Sequence, residues 1–249
     1  METGQEILCD TNVWYDIVSG RLQAPPATLC HARTIMYELL QVKSTMTDSS
    51  RHQNICRAFI DHRRDGYHLQ PIAHMADVLG FDMPKEMVLK SLFEYDQTIE
   101  RIERIASGPL NTEETEELKM LVQILQEPTW HFYKFFAQIV VEFKKKGSHV
   151  DGEAHLQETK IIITNWMSAK VAAAISPEKL NWDQVELFLL VFDLWLKVLM
   201  LTDLKPKFND LVDVFNLAYV QPGTLYWTSD KYWKKLIKSV GLQDYLYTP

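Results

Sequence analysis

The sequence predicts an α/β fold in which a parallel sheet flanked by helices is interrupted by a long all-helical stretch. Three observations carry this. Up to Met83, short apolar runs alternate with helical patterns; from Pro84 to Leu204 only helical periodicity is present; from Lys205 to Pro249 the alternation resumes. Strands separated by helices pair in parallel, because a parallel neighbour is reached through a crossover.

The elements follow in order. Glu6–Cys9 is a short apolar run, and Asp10-Thr11-Asn12 supplies capping chemistry for a helix over Val13–Val18 that Ser19-Gly20 ends. After Pro25-Pro26, Ala27–His31 reads as a second strand. Ile35, Met36, Leu39, Leu40 and Val42 then mark the apolar stripe of a helix that carries Glu38. A third unit comprises a helix over Ser50–Arg64, a turn at Asp65-Gly66, a strand over Tyr67–Pro71 and a helix over Ile72–Leu79. Helices are then expected over Pro84–Ala106, Thr112–Gln126, Thr129–Lys146, Glu153–Ile175 and Pro177–Leu204. Gly108-Pro109, Glu127-Pro128, Gly147 and Ser176-Pro177 separate them. The last unit is a helix over Asn209–Val220, a turn at Gln221-Pro222-Gly223, a strand over Thr224–Trp227 and a helix over Lys231–Val240. An insertion of residues 84–204 into a discontinuous α/β domain of residues 1–83 and 205–249 explains this order better than two tandem domains.

Composition narrows the function classes. A net charge of −7 argues against a nonspecific DNA binder, although local basic clusters can still hold phosphates. Cys9, Cys30 and Cys56 form no CxxC pair, so a disulfide framework and a structural zinc are not expected, and a reducing compartment is. No leader and no 18-residue uncharged run is visible, which predicts a cytoplasmic protein without a membrane span. Val185–Leu204 is interrupted by Glu186, Asp193 and Lys197 and reads as a helix buried among others.

The chemistry lies in acids. Asp10 and Asp230 each follow a predicted strand, at the sheet edge where open α/β folds bind ligands, while Glu38 and Asp213 reach in from helices. Clustered carboxylates repel unless a cation neutralises them or some stay protonated. Hard oxygen donors select Mg²⁺ or Mn²⁺. Each acid taken alone also has a plainer reading; an Asp after a strand is commonly a helix cap. Lys231, Lys234 and Lys235, with Lys238, follow Asp230 on one helix, as a solvated face or as a rim for phosphates. The aromatics of the helical stretch, Trp130, Phe132, Tyr133, Phe135, Phe136, Trp166, Trp182 and Trp195, have helical spacing that assigns them to a core rather than to base stacking.

Four fragments in this order resemble the PIN (PilT N-terminus) nuclease family, which includes the small VapC-like toxin ribonucleases. They are Ile7-Leu8-Cys9-Asp10-Thr11-Asn12, the run from Thr34 through Glu38 to Leu40, the run from Asn209 to Tyr219, and Thr224-Leu225-Tyr226-Trp227-Thr228-Ser229-Asp230. The resemblance implies a PIN-like Rossmannoid three-layer fold around a central parallel sheet. It implies Asp10, Glu38, Asp213 and Asp230 as ligands of Mg²⁺ or Mn²⁺, with Thr228 positioning the last acid or a bound water. Asp213 is favoured over Asp210 as the third acid, because a small residue, Ala218, stands five positions later; Asp210 remains a catalytic candidate. The implied activity is metal-dependent hydrolysis of RNA phosphodiester bonds. An inhibitory or recruiting protein partner and a homodimer through apolar helical surface are compatible with it. The helical insert is outside the resemblance. Two alternatives stay open: a noncatalytic PIN-like scaffold acting through the insert, and a structure-selective DNA nuclease.

Overall fold

Four short strands build one parallel sheet: β1 (Glu6–Cys9), β2 (Thr28–His31), β3 (Arg63–Gly66) and β4 (Leu225–Trp227), in the spatial order β3-β2-β1-β4. The structure is a computed structural model that describes residues 5–40, 49–146, 152–171 and 174–249. Ile7, Leu8 and Cys9 are all buried, and so are Leu29 and Cys30. Both faces of the central strands are therefore covered, the usual condition of a parallel sheet. The chain runs outward from β1 to β2 to β3, then returns much later to place β4 on the other side of β1. That reversal opens a crevice at the C-terminal ends of β1 and β4.

Helices α1 (Thr11–Val18), α2 (Arg33–Leu39), α3 (Ser49–His62) and α4 (Pro71–Val78) belong to the first unit. Beyond them lie α5 (Lys85–Ser107), α6 (Thr112–Lys146), α7 (Gly152–Val171) and α8 (Glu186–Leu201), followed by α9 (Phe208–Asn216) and α10 (Lys231–Ser239). The residues between β3 and β4 add no strand to the sheet among those described. Their apolar faces join the same core: α5 packs on α3 and α2, with Ile99, Ile102 and Ile105 buried, and α8 packs on α6, α7, α9 and α10. Phe132, Phe136, Trp166, Phe188, Phe192 and Phe215 form an aromatic cluster where α6, α7, α8 and α9 meet.

The structure differs from the sequence expectations at several places. The third strand is Arg63–Gly66, not Tyr67–Pro71, and Asp65-Gly66 is strand rather than turn. The reason is a close approach: a Cβ at Gly66 would overlap the His31 imidazole on the neighbouring strand, so glycine here serves packing. Glu127-Pro128 does not end a helix. α6 runs 35 residues through it, about 50 Å at 1.5 Å per residue. Proline removes one helical donor, and burial of Leu118 and Leu125 before it and Phe132, Phe136 and Val140 after it outweighs that loss. Pro177–Leu204 is not one helix either; 3₁₀ turns at Pro177–Lys179 and Trp182–Val185 precede α8. The helix expected over Asn209–Val220 ends at Asn216 and continues as a 3₁₀ turn over Leu217–Tyr219. Val42 and Gly147 lie outside the described residues.

α8 is the buried apolar helix that its composition suggested, and among the described residues no helix is long and apolar enough to cross a membrane. Its one buried acid is satisfied. Asp193 Oδ1 accepts from His155 Nδ1 at 2.6 Å and from Thr159 Oγ1 at 2.7 Å, while Oδ2 pairs with Lys197 Nζ at 2.7 Å.

Candidate functional site

The site begins with two strand ends held together. Asp10 N donates to Trp227 O at 2.9 Å, closing β1 against β4 at the mouth of the crevice. The Asp10 side chain, 4% exposed, serves two purposes. Oδ1 accepts from Thr11 N at 2.7 Å and so caps α1, and Oδ2 accepts from Thr228 Oγ1 at 2.8 Å. Thr228 Oγ1 in turn accepts from Asp230 N at 3.0 Å, so one hydroxyl joins the two acids. Asp230 caps α10, its Oδ1 accepting from Tyr232 N at 2.6 Å and Trp233 N at 3.3 Å. The capping role and the site position are thus not alternatives: in both acids the cap fixes a carboxylate at the sheet edge. Ser229 Oγ donates to Asp16 Oδ2 at 2.8 Å, which pins the Thr228-Ser229-Asp230 loop to α1.

Glu38 and Asp213 approach from helices. Thr34 Oγ1 on α2 donates to Asn216 Oδ1 on α9, which fixes the two helices against each other. Asp213 Oδ2 accepts from the indole Nε1 of Trp233 at 3.1 Å.

The charges of these groups act on one another. Burial first, then the negative charges of Asp10 and Glu38, push the Asp213 carboxyl up to about 8, against the lowering bond from Trp233. Burial and Asp10 push Glu38 up to about 7, with the Thr11 hydroxyl offsetting part of the rise. Asp10 is raised by burial, against the bonds from Thr228 and Thr11, with Asp230 adding to the rise. Asp210 is raised chiefly by burial and senses Asp230; its carboxylate accepts from Lys207 N at 3.4 Å and closes the first turn of α9. Asp213 thus shares the field of the other three acids, while Asp210 stands at its edge. Among the described residues, no three acidic, histidine or cysteine side chains converge tightly enough to hold a metal ion as they stand. The carboxylates share a field rather than a closed cage.

Two residues of this neighbourhood were missed from the sequence. Trp233, 2% exposed, donates its backbone N–H to Asp230 and its indole N–H to Asp213, and its ring lies 6.2 Å from that of Trp195 on α8. Tyr226, on β4, is raised well above the ordinary phenol value by burial and then by Asp10 and Asp213. No spacing rule marks either; an aromatic on a strand or helix reads as core. Trp130 and Phe135, whose helical spacing predicts core positions, are instead 43% and 37% exposed. Lys231, Lys234, Lys235 and Lys238, with Ser239, line an open groove of about 440 Å³ on α10.

No protein-family description matches the chain, and no curated protein or solved structure is significantly similar to it.

Proposed function

We propose that this chain is a metal-dependent endoribonuclease of the PIN type, working in the cytoplasm on RNA. The single observation that carries the reading is the shared field of Asp10, Glu38, Asp213 and Asp230 at the crevice between β1 and β4. At neutral pH such a group either retains protons or takes up a cation. Its donors suit Mg²⁺ or Mn²⁺: carboxylate oxygens, with the Thr11 hydroxyl beside Glu38. Asp10, Glu38, Asp213 and Asp230 would hold the ion. When bound, it would lower the pKa of a water and offset charge on the phosphate. The protein's own share is orientation: Thr228 fixes Asp10 relative to Asp230, Trp233 holds Asp213, and the lysines of α10 offer a cationic rim for the phosphates.

The test is cleavage of labelled single-stranded RNA with Mn²⁺ or Mg²⁺, by the parent chain and by Asp10→Asn. Parent-only, metal-dependent cleavage is expected, with at least a hundredfold loss in the variant. Equal cleavage by the two would remove the proposed site. Faster cutting of DNA flaps than of RNA in the same assay would replace the substrate class.

A further inference from the structure

A second groove, of about 660 Å³, lies on α6 where it meets the start of α9. Its wall combines the exposed apolar Met120 and Ile124 with Gln123, Gln126, Trp130 and Lys134 of α6 and Phe208, the first residue of α9. Trp130 is 43% exposed; its ring stacks on Tyr133 at 5.1 Å and lies 5.3 Å from that of Phe208, and Lys134 Nζ is 5.6 Å from its centroid. The groove is also tied to the acid-bearing helix, since Tyr133 Oη donates to Pro206 O at 3.2 Å just before α9 begins.

We infer that this groove receives the unpaired bases of a single-stranded RNA whose backbone continues to the acid site. The inference rests on the nuclease reading above and names its substrate as single-stranded. An aromatic platform with an adjacent cation is the chemistry by which proteins hold unpaired bases, because every base offers a π-face and a neighbouring phosphate. Two glutamine amides in the same wall can donate to and accept from base edges. The one acid in the groove, Glu127, is offset by Lys134 in the same wall. A protein partner would instead bind through the apolar Met120 and Ile124, and is one outcome of the test below.

The two sites share α9. Phe208 and Asp213 are five residues apart, about 7.5 Å along the axis and roughly 140° around it. A strand leaving the groove would reach the acids by rounding the N-terminal end of α9, past the exposed Lys207 and the Asp210 carboxylate. In duplex RNA the bases are stacked on one another and cannot lie on Trp130.

The experiment measures binding of a single-stranded oligoribonucleotide and of the matching duplex to the full chain, in EDTA and in an Asp10→Asn background so that nothing is cut. Trp130→Ala is expected to weaken single-strand binding about tenfold and Trp130→Phe to restore most of it, with duplex binding unchanged. Unfolding temperature is measured for each variant, and Trp130→Phe separates lost stacking from lost fold. Unchanged single-strand binding by Trp130→Ala overturns the inference, as does an equal loss for single strand and duplex. Loss of a self-association by Trp130→Ala, with RNA binding intact, also overturns it and assigns the groove to a protein face. The nuclease reading is judged separately. Trp130-dependent binding with no metal-dependent cleavage by the parent supports the groove while that reading fails; cleavage sensitive to Asp10→Asn but indifferent to Trp130→Ala sinks the groove alone.

Discussion

Replacing Asp213 with asparagine should make the metal-free protein more stable at neutral and alkaline pH. The carboxyl stands at about 8 in the fold against an ordinary 3.8, because burial and the charges of Asp10 and Glu38 disfavour its ionised form. Between pH 4 and 8 the folded chain therefore holds a proton that the unfolded chain has released. Stability falls as pH rises through that window, by at most about 1.4 kcal/mol per unit. Integrated to pH 7 the loss is at most about 4 kcal/mol, and because Glu38 and Asp10 share the same repulsion we assign about 2–4 kcal/mol to this site. Asparagine keeps an oxygen for the Trp233 N–H and carries no charge. In EDTA at pH 8 the variant should melt roughly 5–15 °C above the parent, at about 2–4 °C per kcal/mol for a chain of this size. The gain should disappear near pH 4, where both states are protonated. Saturating Mn²⁺ should narrow or reverse it, because the ion stabilises the parent by binding the folded state. Thermal unfolding across pH, with and without Mn²⁺, reads all three. A variant no more stable than the parent at pH 8 in EDTA, or a gain that persists undiminished at pH 4, would refute the argument that these acids repel.

Other consequences follow from single contacts. Trp233→Phe keeps an aromatic ring against Trp195 but removes the indole donor to Asp213; Mn²⁺ affinity, measured by titration calorimetry, should fall 10- to 100-fold with little change in melting temperature, as is typical for partners that orient ligands. Asp193→Ala should destabilise the protein by about 3 kcal/mol in urea unfolding, because it leaves His155 and Lys197 without their buried acceptor. Burial raises the Asp193 carboxyl, but the bonds from His155, Lys197 and Thr159 outweigh it and hold the group below its ordinary value. Its contribution is accordingly present above pH 4 and lost as pH falls through that depressed value, so the parent and the variant should converge in strong acid. Gly66→Ala must displace the His31 ring and should destabilise by about 1–3 kcal/mol, whereas a substitution at a true turn glycine with open space would act only through its backbone angle.

β1 and β4 are legible as short apolar runs followed by capping residues and β2 as a run that follows Pro25-Pro26, and Asp10 and Asp230 stand out because each follows such a run. β3 is not legible because Asp65-Gly66 reads locally as a turn, whereas His31 on the neighbouring strand is what requires the glycine. The 35-residue α6 was cut in two at Pro128, since the local cost of proline is visible in sequence and the burial that overrides it is not. The site shows the same division. Four acids with alternating strand and helix contexts are local facts. That one threonine joins Asp10 to Asp230, that Trp233 serves both Asp230 and Asp213, and that Asp213 rather than Asp210 shares the field of Asp10 and Glu38 are facts of distance.

The sequence by itself determined an α/β chain with a parallel sheet, a long helical stretch between its third and fourth strands, and acids at the ends of β1 and β4. Periodicity and capping are local, and they act over a few residues wherever the chain goes. Tertiary structure alone decided the strand order β3-β2-β1-β4 and hence the crevice, the packing of the 85–201 helices into the same core, and the exposure of Trp130 beside Phe208. Those depend on which faces meet across the chain, and burial and charge coupling between residues 10, 38, 213 and 230 come into being only when they do.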